Sequence, residues 1–263
     1  MGGPSEVRAH LESPDMLILL PPSEGKATSG EGPRLALDTL TLPELGEARE
    51  KVMEALVDLC AGPADTALKI LGIGAGRADA LKRNLDLTTA PTLRAADLYT
   101  GVLYDRLGLP ELPNATGRVL VFSGLWGVLG PADRVPPYRL SMGVKLPPLG
   151  GLGSYWRRVL AEPLKELVAD RLLVDCRSAV YATAFAPGDR VTVKVLRERL
   201  VDGVVERSVV SHMAKATRGD IARSLLLEGV DADTPEELVS ALRDLGYTVE
   251  LPDTRTLNVI VRG

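Results

Sequence analysis

The chain has 263 residues, 45% of them apolar, enough for one large domain with a sizeable core. Its 31 basic and 35 acidic side chains leave a net charge of −4, which excludes a uniformly positive surface and allows at most a local basic patch. Only Cys60, Cys176, His10 and His212 are present and no CxxC occurs, so a disulfide framework and a thiolate or histidine-rich metal site are excluded, neither metal nor cofactor is expected, and a cytoplasmic setting fits.

Residues 1–15, "MGGPSEVRAHLESPD", are polar, lack the apolar centre of a secretory signal, and read as a disordered leader or an upstream start. His10 falls in it, so no chemistry is expected of that side chain. The domain is expected to run from Met16 to Gly263, and no apolar run in it approaches the ~20 residues of a membrane span. "MLILL" (Met16–Leu20) reads as a strand buried on both faces, cut off by Pro21 and Pro22 and followed by the loop "PPSEGKATSGEGPR". Thr41 with Glu44 resembles a capping box opening a helix through Met53, Leu56 and Leu59.

Next comes "LKILGIGAGRADALKRN", which fits a helix-hairpin-helix at about 64–85. Gly72 and Gly74 flank Ile73, and glycine lets backbone approach a phosphate closely. The amides opening the second helix would face that anion, and Arg77, Lys82 and Arg83 would add phosphate contacts that position a protein without reading bases. The alternative is a helix-ending glycine in a tight turn with no ligand.

Another helix is expected over Ala95–Leu107, interrupted near "YTG". "RVLVFSG" (Arg118–Gly124) and "RLLVDC" (Arg171–Cys176) read as further central strands, with a helix near "SYWRRVLAEPLKELVAD" between them. "RVTVKVLRERLVDGVVERSVVS" alternates, turns at Asp202–Gly203 and alternates again, the strongest hairpin signal in the chain. A helix from about His212 to Glu228 follows, then one capped by Thr234 with Glu237, and "YTVEL" and "LNVIV" close as strands. This order suggests a single α/β domain with a mixed central sheet.

Candidate functional residues lie on loops after strands. Ser123, Tyr138 and Arg139 sit in the Gly- and Pro-dense "FSGLWGVLGPADRVPPYRLSMG". In the basic helix, Ala214, Arg218, Ile221 and Leu225 share one face with Lys215 at its border. An arginine in an apolar stripe must be paired or meet an anion, so Arg218 is either an ion-pair member or a binding residue. Trp126 and Trp156 pack in the core or line a cleft to stack a base. Cys176, ending an apolar strand, reads as buried and inert.

"MLILLPPSEGK", "DLYTG", "FSGLWGVLGPADRVPPYRLSMG", "SYW" and "AKATRG" occur in the order found in the YaaA (peroxide stress, UPF0246) family, which the chain resembles from Met16 almost to its end. The resemblance implies an α/β domain with an inserted helix-hairpin-helix, a positively charged cleft, DNA binding, and a cytoplasmic role in limiting oxidative damage linked to intracellular iron. Family positions fall on Tyr99, Thr100, Gly101, Ser123, Gly124, Tyr138, Arg139, Lys215 and Arg218. The first loop is longer than in better-known members, and "SAVY" (Ser178–Tyr181) lacks the acid of their Ser-x-Glu-Tyr pattern.

Two functions follow as expectations. One is DNA binding through backbone contacts with little sequence preference. The other is an enzyme acting on a small anionic substrate, such as a nucleotide or a nucleobase-containing metabolite. Ser23, Lys26, Tyr99, Thr100, Ser123, Tyr138, Arg139, Lys215 and Arg218 would form its anion site, with Lys215 and Tyr99 as candidates for proton transfer.

Overall fold

A computed structural model describes residues 15–74, 76, 78–201, 204–209 and 211–262, the backbone alone at 201, 211 and 212. The proposed leader, His10, Arg77, the Asp202–Gly203 turn and the His212 side chain lie outside the described residues, apart from Asp15 at the leader's end.

Strand β1 (Met16–Leu20) is buried at every position, which is why an unbroken apolar run encodes it. Helix α1 (Gly46–Ala61) starts later than its sequence signal. A 3-10 turn at Pro43–Leu45 precedes it and no side chain caps it. Thr41 has a tertiary partner instead of a cap, its hydroxyl and amide both lying 3.0 Å from the Asp133 carboxylate. The same hydroxyl accepts the Gly130 amide at 3.2 Å, so its acceptor side is turned toward Gly130 and away from the helix start.

Helices α2 (Ala64–Leu71) and α3 (Asp79–Leu85) follow, then β2 (Leu93–Arg94), α4 (Ala95–Leu98) and α5 (Val102–Leu107), broken at "YTG" as expected. After them come β3 (Val119–Ser123), β4 (Gly127–Leu129), β5 (Arg134–Val135), β6 (Lys145–Leu146), β7 (Gly150–Gly151) and α6 (Leu152–Leu167). The chain continues through β8 (Leu172–Asp175), α7 (Ala179–Ala182), β9 (Val191–Val201), β10 (Val204–Val209) and α8 (Ser211–Leu227). It closes with α9 (Pro235–Asp244), β11 (Val249–Asp253) and β12 (Thr256–Arg262). Thr234 caps α9 by accepting the Glu237 amide at 3.2 Å.

The main sheet runs β11-β12-β9-β8-β1-β3-β4, with β10 also paired to β9. Its interior pairs (β12 with β9, β9 with β8, β8 with β1, β1 with β3) are parallel, and β11, β10 and β4 are antiparallel additions. The fold is therefore a single α/β domain with a mixed sheet. Because β3 and β8 flank β1 on opposite sides, the chain reverses direction across the sheet there. Ligands of open α/β sheets bind outside the carboxyl ends of strands at such a reversal.

Trp126 and Trp156 are wholly buried, and the Trp156 indole donates to the Gly124 carbonyl at 2.9 Å, so both pack the core and neither can stack a base. Arg49, also fully buried, donates to the carbonyls of Thr41, Leu42, Trp126 and Val128, tying α1 to the β3–β4 turn. No helix among the described residues is long and apolar enough to cross a membrane.

Candidate functional site

The loop after β1 is held against the segment between α4 and α5. The Ala27 amide donates to Leu98 at 2.9 Å, the Thr100 amide to Gly25 at 3.3 Å and to the Ser23 hydroxyl at 3.1 Å, and Lys26 bridges Tyr99. This carries Ser23, Glu24 and Lys26 to the ends of β1 and β3, beside Tyr99, Ser123 and Tyr138.

There the hydroxyls form a chain. Ser123 Oγ accepts the Leu125 and Trp126 amides at 3.2 and 3.1 Å, which engages both lone pairs. Its proton therefore goes to Tyr138 Oη, 2.7 Å away, and Tyr138 Oη and Tyr99 Oη share a hydrogen bond of 3.0 Å. Burial raises the pKa of Tyr99, Tyr138 and the adjacent Tyr104, so all three stay protonated at neutral pH.

Lys26 is half-buried over these rings, its Nζ 4.7 Å from the Tyr138 centroid and 5.5 Å from that of Tyr99, and it donates to Ser23 O at 2.6 Å. Desolvation chiefly, and then the Arg139 charge, bring its pKa down to about 7, against a smaller opposing pull from Glu24. An amine poised near neutrality can accept a proton or attack an electrophile.

Arg139 donates to the Glu24 carbonyl at 2.8 Å and to its carboxylate at 3.0 Å. Its backbone is gripped by the fully buried Asn84 of α3, which accepts the Arg139 amide at 2.8 Å and donates to its carbonyl at 2.9 Å. This clamp joins α3 to the strand-end loops. Between them lies an open cavity of ≈ 460 Å³ lined by Glu24, Gly72, Ile73, Gly74, Gly76 and Arg139.

The turn itself divides in two. Gly72 ends α2 with φ 63°, its amide reaching Lys69 O and the Ile73 amide reaching Leu68 O, while Ile73 is buried. That is a Schellman motif, so the structure accounts for Gly72 as a helix end. Gly74 and Gly76 have no left-handed φ, and a Cβ there would meet nothing within 4 Å. Lys82 is exposed, and Arg83 is half-buried and paired with Asp79.

Lys215 and Arg218 do not join the Lys26 group. Lys215 is exposed on α8 and lines neither this cavity nor the next. Ala214, Ile221 and Leu225 are buried on one face of α8, as expected. The partner that accepts Arg218 is a carbonyl, Val193 O, at 2.8 Å from Nη2 and 3.2 Å from Nε. Gly219 lets α8 pack closely on α5, since a Cβ there would clash with the Leu103 carbonyl. Sequence reasoning missed Asn84 and Tyr104, and also Arg157, Asp175, Arg177 and Arg190, which line one cavity with Arg218. Only "VDCR", a carboxylate and an arginine closing an apolar strand, could have signalled the last group. Cys176 is buried and burial pushes its thiol up to about 12. Among the described residues, no group of three or more His, Cys, Asp and Glu side chains could hold a metal ion.

Fold and site together define an α/β protein in which Lys26, Arg139 and the hydroxyls of Tyr99, Ser123 and Tyr138 gather beside the carboxyl ends of parallel strands β1 and β3. The chain belongs to the peroxide stress protein YaaA family, whose model matches residues 16–251. It is 50% identical over 240 residues to a UPF0246 protein of Streptomyces coelicolor, covering 89% of this chain and 92% of that one. A UPF0246 protein of Corynebacterium efficiens is 39% identical over 253 residues (94% and 100%), and one of Shewanella woodyi 32% over 229 residues (80% and 86%).

Proposed function

We propose that this protein acts in the peroxide stress response by binding DNA, with the α2–α3 turn and the Arg139 cavity as the contact. The carrying observation is the bare backbone at Gly74 and Gly76, on the cavity wall with Arg139. Neither glycine is needed by its own φ or by a crowded neighbour. Absence of a side chain there leaves room for a phosphate to approach the backbone. Exposed Lys69 and Lys82 on the flanking helices supply further charge, and Asn84 keeps turn and Arg139 in register.

Binding of a labelled duplex by fluorescence anisotropy, repeated over a salt series, tests this reading. The logarithm of affinity should fall with log salt by about 0.9 per neutralised phosphate. Gly74→Glu should weaken binding at least tenfold while leaving the unfolding midpoint in place. A flat salt response, or wild-type affinity in Gly74→Glu, refutes the proposal.

Lys26 favours a second reading, chemistry on a small anionic substrate such as a nucleotide or nucleobase-containing metabolite. Arg139 would hold the anion, Lys26 would accept a proton and Tyr99 would donate one, replenished through Tyr138 and Ser123. Calorimetric titration of a nucleotide panel at pH 6 and pH 8 tests it. Binding should change with pH in the wild type and lose that dependence in Lys26→Met; no heat from any member of the panel rejects this reading.

A further inference from the structure

A second cavity, of ≈ 430 Å³, opens beyond α7 at the carboxyl end of β8 and the start of β9, and neither reading above uses it. Its wall holds the side chains of Arg157, Arg177, Arg190 and Arg218 and a single carboxylate, Asp175. Asp175 is spoken for. Its Oδ1 accepts the Arg177 amide at 3.0 Å and Nε at 2.8 Å, and its Oδ2 accepts Arg177 Nη2 at 2.8 Å and Arg190 Nε at 3.0 Å. Arg177 is wholly buried, stacks 4.1 Å over the Phe122 ring, and leaves its Nη1 without a hydrogen-bond partner. The pair Asp175–Arg177 is thus a neutral floor.

The remaining cations are held in place by carbonyls, which orient a guanidinium without cancelling its charge. Arg157 Nε donates to Thr183 O at 2.8 Å, Arg190 Nη1 to Pro187 O at 2.8 Å, and Arg218 to Val193 O. Among the described residues, Arg157 and Arg218 have no carboxylate partner, and Arg190 shares the one already matched by Arg177. Pre-oriented guanidinium groups with spare N–H edges suit a tetrahedral oxyanion, which can accept several forked pairs at once.

We propose that this cavity binds the phosphoryl group of a small phosphorylated molecule. The half-buried Arg190 and Arg218 favour a terminal phosphate, attached through one oxygen and able to enter alone, over a phosphodiester that carries sugar on both sides. The proposal stands independently of the DNA reading, because it concerns different residues.

The test is calorimetric titration of inorganic phosphate and, separately, AMP into the full chain at low ionic strength, alongside thermal unfolding at increasing phosphate. The variants are Arg218→Gln and Arg157→Ala. Arg157 is exposed and makes one hydrogen bond, so its loss leaves the fold intact even if Arg218→Gln does not. Lys51→Ala, which removes an equal charge from α1, is the control. Both probes should bind wild type and Lys51→Ala, the unfolding midpoint should rise with phosphate, and Arg157→Ala should weaken binding at least tenfold. Failure of both probes to bind, or equal affinity in wild type and Arg157→Ala, overturns the proposal. So does an equal loss in Lys51→Ala. If neither probe binds while duplex affinity falls in the arginine variants, the cavity serves backbone phosphates and the small-molecule proposal is wrong.

Discussion

Asn84→Ala removes the clamp between α3 and the site loop. The side chain is fully buried and makes two good hydrogen bonds to the Arg139 backbone, at 2.8 and 2.9 Å, with only a weak 3.6 Å contact to Cys60 Sγ besides. Truncation leaves the Arg139 N–H and C=O without their partner, and an orphaned buried group costs ~1–3 kcal/mol. Because the loop can relax toward solvent, the two penalties should combine to about 2–4 kcal/mol rather than to their full sum. At roughly 2–4 °C per kcal/mol for a domain of this size, the unfolding midpoint should drop by about 4–16 °C. Differential scanning calorimetry measures this directly. Duplex affinity, taken well below the new midpoint, should fall as well, because the turn and Arg139 lose their common anchor. A midpoint within ~1 °C of wild type would show that the clamp contributes little to stability, and coupling of the α2–α3 turn to the Arg139 loop would go with it.

Lys26, depressed from 10.5 to about 7 by burial first and Arg139 second, binds fewer protons folded than unfolded between those values, so stability should rise with pH through that window; urea midpoints should lose this trend in Lys26→Met. If the two proteins show the same trend, Lys26 is not desolvated. Arg49→Met leaves four carbonyls without their donor and should cost at least ~3 kcal/mol by urea denaturation, making it among the most damaging single changes in the chain. Cys176, buried with its thiol pushed up to about 12, should resist iodoacetamide in the native protein at pH 8 and react only after unfolding, as read by mass spectrometry. Alkylation of the folded protein would refute the reading of Cys176 as buried and inert.

Much of the fold was legible locally. Apolar runs marked β1, β3 and β8, alternation marked β9 with β10, and the Thr234 cap marked α9, because these signals act between residues within a turn or a strand pleat of one another. Thr41 shows where such reading fails. Its local box was plausible, yet a carboxylate distant in sequence, Asp133, took the hydroxyl. Gly72 shows the opposite case, a glycine that could have served a ligand and is explained by the end of its own helix.

The sequence by itself determined the longer strands and most of the helices, a near balance of acidic and basic residues, and candidate lysine, tyrosine and arginine side chains on loops after strands. Only the tertiary structure decided that Lys26 rather than Lys215 is desolvated, that Arg139 and Arg218 face different cavities, and that Asn84 binds a loop remote in sequence. Periodicity and capping are properties of neighbouring residues. A pKa or a shared cavity depends on which strand ends the sheet order sets side by side, and that order is a property of the whole chain.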